Sequence, residues 1–176
     1  MRNFTYSWIL LLGSILVSCS APSDLQNLTG FVDPFIGTAG HGHTFPGATL
    51  PFAMVQLSPD NNHEGWDWCS GYHSSWDTIA GFSHTHLSGT GVGDLMDIAL
   101  LPTIKELSSE GSSPESGFMN NFYAPFSHEN ETAKPGYYAV TLDDGIKAEL
   151  TTTLRSGFHR YTFPESAEAS VIIDLS

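Results

Sequence analysis

Apolar residues recur along this chain in short bursts punctuated by Gly, Pro, Asn, Asp and Ser, and no long window holds a helical period. Pro51 to Leu57, PFAMVQL, nearly alternates between apolar and polar positions and is bounded by Pro51 and Ser58-Pro59-Asp60, so it predicts a strand followed by a turn. Thr78 to Leu87 is β-favouring at Ile79 and Phe82, and strict alternation puts Ser83 and Thr85 on one face and His84 and His86 on the other. Leu95 to Leu101, LMDIALL, is apolar enough for a buried strand, ended by Pro102. Further on, Tyr137 to Leu142 and Ile146 to Leu154 flank Asp143-Asp144-Gly145, and Asp-Gly between two alternating runs is a strong hairpin signal. Gly157 to Phe163, closed by Pro164, and Ala169 to Leu175 complete the predicted strands. Near the start, Val32 to Gly37 enters a sheet only at an edge or first position, because Pro34 has no N–H to donate. Short strands with Gly/Pro punctuation predict an all-β fold, an antiparallel β-sandwich, in a single domain.

The loops between these strands carry the unusual residues. Residues 35–93 hold six of the eight histidines, three of the four tryptophans and Cys69. Gly, Pro, Ser and Thr break this stretch so often that it must be loops and short strands, and rings placed in loops are costly to order unless they bind something. A Gly- and His-rich loop is expected over residues 38–47, an aromatic loop over 60–75, and a low-complexity surface loop over 106–117.

Composition changes the picture in two ways. The formal net charge is −13, from 19 acidic and six basic residues, so there is no basic patch for nucleic acid. The first residues, with Arg2, an apolar run from Trp8 to Val17 and small residues before Cys19, read as a signal peptide, the run being too short to span a bilayer. Leu16-Val17-Ser18-Cys19 resembles a bacterial lipobox, which makes residues 1–18 a lipoprotein signal peptide and Cys19 the acylated anchor. Residues 19–30 then form a polar tether, and residues 31–176 the folded domain. The expected address is exported and membrane-anchored, in the periplasm or on the cell surface. Cys69 is left without a disulfide partner.

GTAGHGHTFPGATLPFAMVQLSPD, then GWDWCSGYH, then GFSHTHLSGTGVGD resemble the successive motifs of the N-terminal domain of glycoside hydrolase family 92. The resemblance is ordered over residues 31–102 and continues through SHENETAKPGYYAV and LTTTLRSGFHRYTFP. It implies a galactose-mutarotase-like supersandwich and the activity of a calcium-dependent, inverting, exo-acting alpha-mannosidase on mannose-containing glycans. In that family the catalytic acid, the base and most calcium contacts are supplied by a larger helical domain after the sandwich. The run SVIIDLS at the end is an apolar strand with no closing turn, so the chain is expected to be truncated before that domain and to carry no catalytic residue of its own.

An exo-glycosidase must grip one sugar ring through aromatic faces and fixed polar groups. Trp66, Trp68, Tyr72 and Trp76 can offer flat apolar surface to a pyranose, Asp67, His73, His84 and His86 can bond its hydroxyls, and Cys69 sits among them. Trp66 and Trp68, two apart in an extended loop, face one side with Asp67 opposite. Two rival readings stand beside this one. A stand-alone carbohydrate-binding lipoprotein would use the same rings without turnover. A metal protein would ligate zinc, iron or copper through His41-Gly42-His43 and His84-Thr85-His86, since residues i and i+2 of a strand share a face. A Gly-rich loop holds such geometry poorly without further support, so no metal ligand is assigned on sequence grounds. Calcium prefers oxygen ligands, which makes imidazoles the wrong donors for it.

Overall fold

The structure is a computed structural model that describes residues 28–61, 65–107 and 122–175. The leader, Cys19, most of the tether, residues 62–64 of the aromatic loop and most of the low-complexity segment lie outside the described residues. Ten strands run in chain order: β1 Ala48–Thr49, β2 Gln56–Asp60, β3 Thr78–Ile79, β4 Gly81–Ser83, β5 Ala99–Thr103, β6 Ala124–Lys134, β7 Tyr137–Leu142, β8 Lys147–Thr152, β9 Gly157–Thr162 and β10 Ser170–Asp174. They form two five-stranded antiparallel sheets, ordered β1-β2-β4-β5-β10 and β3-β6-β7-β8-β9. Two short 3-10 turns, Leu28–Phe31 and Trp66–Trp68, are the helical elements among the described residues.

The sheets face each other over a core that both supply: Leu57, Phe82, Leu101 and Ile172 from the first, Phe126, Tyr138, Val140, Leu142 and Leu150 from the second. Gly157 of β9 lies so near Leu57 of β2 that a Cβ there would meet its side chain at 2.9 Å, a measure of how closely the layers approach. The hairpin read from Asp143-Asp144-Gly145 is present, with Gly145 at φ +89°, and its Tyr138↔Leu150 and Val140↔Ala148 pairs point into the core.

The strands depart from expectation at several points. Residues 34–37 form a turn and not a strand, and residues 51–55 lie outside β2, with Phe52 at φ +60°. Ser58-Pro59-Asp60 is strand and not turn, because β1 pairs only with Gln56 and Leu57, so Pro59 faces no neighbour on that side and its missing N–H costs nothing there. LMDIALL does not run as one strand: Leu95, Met96 and Ile98 have φ of +71°, +64° and +56°, and β5 starts only at Ala99. Residues 78–87 break at Ala80, which sends β3 to one sheet and β4 to the other. A further strand, β6, was not predicted, since its second half is polar and its register with β7 shifts between Phe126 and Glu131.

Candidate functional site

At one end of the sandwich, the Trp66–Trp68 turn and residues 91–96 meet around an open cleft of about 550 Å³. Asn61, Trp66, Trp68, Cys69 and Met96 line it, with Gly65, Gly71, Gly91 and Gly93 between them. Two of these glycines are required by contact: a Cβ at Gly91 would strike the Trp66 ring, and one at Gly71, which sits at φ +83°, would strike the Asp60 carboxylate. The strained segment with Leu95, Met96 and Ile98 forms one wall, pinned by Met96 N to Thr85 O at 2.8 Å, His84 N to Asp97 O at 3.0 Å and Thr85 Oγ1 to Asp97 Oδ2 at 2.8 Å.

Trp66 and Trp68 do not share a face. In a 3-10 turn positions two apart diverge, and the two rings find different neighbours. Trp66 is 60% exposed and stands edge-on to the His43 ring at 4.8 Å. Trp68 is half-buried between His73, at 4.7 Å, and Trp76, at 5.8 Å. Asp67 turns toward the glycine loop, where His41 Nδ1 lies 2.6 Å from its Oδ1. That hydrogen bond, ahead of the opposing effect of burial, holds the Asp67 carboxyl below its ordinary range.

The other predicted sugar contacts are already engaged by the protein. Tyr72 lies in the core, where its hydroxyl donates to Glu131 Oε1 at 2.7 Å, so it is no platform for a sugar. Its proton is held far above the ordinary tyrosine range, by burial first and then by the Glu131 charge. His73 uses both ring nitrogens: Nε2 donates to Gly40 O at 3.1 Å, and Nδ1 accepts from Ser75 Oγ at 2.7 Å. Cys69 lines the cleft but is buried and donates to Thr90 O at 2.8 Å. His84 and His86 do not act together, because the chain leaves the strand after Ser83. His86 is buried, with Nδ1 at 2.8 Å from Gln56 O and Nε2 at 2.8 Å from Asp60 Oδ1 and 3.1 Å from Ser83 Oγ. His84 instead meets His159 of β9, Nε2 to Nε2 at 3.2 Å.

Sequence reasoning missed two groups. Glu131 of β6, its side chain 3% exposed, accepts from Tyr72 and Tyr138 hydroxyls at 2.7 Å each and faces His128 Nδ1 at 2.6 Å. Nothing in the polar string SHENETAK marks that carboxylate as buried. His159 is the second, and its place in the alternating strand Gly157 to Phe163 carried the only hint that its ring shares a side with Tyr161. Among the described residues, the one cluster of three or more metal-ligating side chains is His41, His43 and Asp67, whose two imidazoles do not suit calcium.

A two-sheet antiparallel sandwich with a ring-lined cleft at one end defines the class of domain, and the comparisons define the family. Residues 31–176 match the glycosyl hydrolase family 92 N-terminal domain. The chain belongs to that family. It is 32% identical over 178 residues to an uncharacterized secreted glycosidase of Arthroderma benhamiae, covering 97% of this chain and 22% of that protein. Its fold matches a family GH92 alpha-mannosidase of Bacteroides thetaiotaomicron, solved in complex with mannoimidazole, at TM-score 0.76 and 44% identity, over 85% of this chain and 20% of that one. A family GH92 inverting mannosidase of Bacteroides thetaiotaomicron VPI-5482 matches at TM-score 0.68 and 26% identity, over 86% and 20%. The chain thus spans about a fifth of the length of the relatives it matches.

Proposed function

We propose that this chain is the pocket-contributing N-terminal domain of an exo-acting alpha-mannosidase that removes terminal alpha-mannose from glycans outside the cytoplasm. The family match over residues 31–176, with a mannosidase 44% identical in sequence and alike in fold, carries the reading. The cleft supports it: Trp66 offers an exposed ring beside the partly buried Trp68, a wall on which a pyranose stacks. The general acid, the base and the calcium ligands belong, in this reading, to another part of the enzyme, since no carboxylate is among the described residues that line the cleft. Export is supported by the apolar leader and by the relative described as secreted, and Cys19 is the proposed lipid anchor.

The purified chain, incubated with calcium and alpha-linked mannobioses, is expected to release no mannose. Release at a rate above the uncatalysed background, from a preparation free of host mannosidase, would overturn the assignment of the acid and base to another part of the enzyme.

A further inference from the structure

We propose that His41, His43 and Asp67 form a binding site for a borderline divalent transition ion, zinc in the first instance, that fastens the glycine-rich loop to the Trp66–Trp68 turn. The ligand atoms of all three side chains lie within 4.8 Å of one another. Donor atoms around a tetrahedral ion at 2.0–2.1 Å are roughly 3.3 Å apart. Two of the three pairs bracket that value, with His41 Nδ1 at 2.6 Å and His43 Nε2 at 3.7 Å from Asp67 Oδ1, and the third, His41 to His43, lies within 4.8 Å.

His43 supplies an independent observation. Its side chain is 7% exposed and its Nε2 is buried with no hydrogen-bond partner. At 3.7 Å the Asp67 oxygen is too far to hydrogen-bond it, so a buried polar atom is aimed at a carboxylate across a gap. A cation between them satisfies the nitrogen and the carboxylate together. Two imidazoles and one carboxylate are the donor set of a zinc site with an open position, and imidazole nitrogen disfavours calcium and magnesium.

The loop that carries the histidines is also better held than its glycines suggest. His43 O accepts from Ser70 Oγ at 2.8 Å and from Gly89 N at 2.7 Å, and Gly40 O accepts from His73 Nε2 at 3.1 Å. Gly42 packs directly on the Gly37 carbonyl, where any Cβ would collide. His43 itself sits at φ +53°, a conformation that these bonds keep in place and that turns its ring toward Trp66 and Asp67. The site does not depend on the mannosidase reading, and sits beside the cleft without using its lining.

The purified chain, stripped with chelator, is titrated with Zn²⁺ by calorimetry and with Co²⁺ by visible absorption. One ion per chain is expected, with tetrahedral Co²⁺ bands displaced by Zn²⁺ and not by excess Ca²⁺. His41 is 79% exposed in its side chain, so His41→Ala leaves the fold intact, and Asp67→Asn keeps the shape of its side chain. Loss of an outer-shell partner already weakens metal binding 10- to 100-fold, so each variant is expected to lower affinity by at least about 100-fold. His159→Gln is the control for the other histidine pair and is expected to bind normally. Absence of binding, binding untouched by His41→Ala and Asp67→Asn, binding lost in His159→Gln, or displacement by Ca²⁺ would each overturn the proposal.

Discussion

Trp66 and Trp68 differ by one intervening residue and by almost everything that decides what an alanine would do. Trp66 is exposed and touches His43 edge-on, so its removal opens no cavity. In the complete enzyme Trp66→Ala is expected to leave the melting temperature unchanged and to lower kcat/KM about 10- to 100-fold, which is 1.4 to 2.7 kcal/mol of lost stacking. Trp68 is wedged between His73 and Trp76, and Trp68→Ala is expected to cost about 3 kcal/mol of stability, the low end for a large aromatic because the ring is only half-buried. Urea titration of both variants beside their kinetics checks the division, and equal loss of stability in both would contradict it. The Trp pair was visible in the sequence as a candidate, but the split was not. Alternation assumes an extended loop, and the chain folds a 3-10 turn there instead.

At the level of strands, what the sequence made legible follows from local pairing, and what it hid follows from distant neighbours. β7, β8 and β9 could be read because each alternates and two are joined by Asp-Gly. β6 was hidden because its alternation fails where the register shifts, and Glu131 is buried by tyrosines that come from other elements. The His84–His159 contact, 75 residues apart in sequence, is of the same kind. Tyr161 O–H donates to His159 Nδ1 at 2.8 Å and His84 Nδ1–H donates to Ile98 O at 2.7 Å, which leaves His159 Nε2–H to donate to His84 Nε2. Burial first, and His84 second, lower the His159 pKa from 6.5 to about 4. The unfolded chain therefore takes up the proton first, so stability is full above pH 6.5 and falls as pH drops from 6.5 toward about 4. Glu149 acts in a lower window: its hydrogen bonds from Tyr137 and Arg160 lower its pKa from 4.5 to about 2, and that contribution is lost between those values. Urea midpoints measured across pH should slope in both windows, and His159→Gln should flatten the upper one alone. An unchanged upper slope in that variant would show that another group sets it.

Across the whole molecule, the surface is more apolar than an isolated sandwich of this size can leave uncovered without consequence. Phe31, Ile36, Phe52, Met54 and Phe158 are exposed, and Phe52 holds a left-handed backbone at φ +60° that displays its ring outward. The sheet ends add to this. Among the described residues β10 pairs in register with β5 alone, and Val171 and Ile173 on it are exposed. A net charge of −13 opposes association by repulsion, but salt screens that term within about 8–10 Å while leaving apolar contact intact. The purified chain is therefore expected to self-associate, and more so as ionic strength rises. Light scattering at increasing salt checks the direction, and a monodisperse monomer at high protein concentration in high salt would contradict it. Placing a charge on β10 separates strand pairing from face-to-face contact. If edge pairing dominates, Ile173→Lys returns the chain to monomer, because a lysine there must lie against the incoming strand. If the exposed aromatics dominate, the same variant still associates and Phe52→Ser is the change that relieves it.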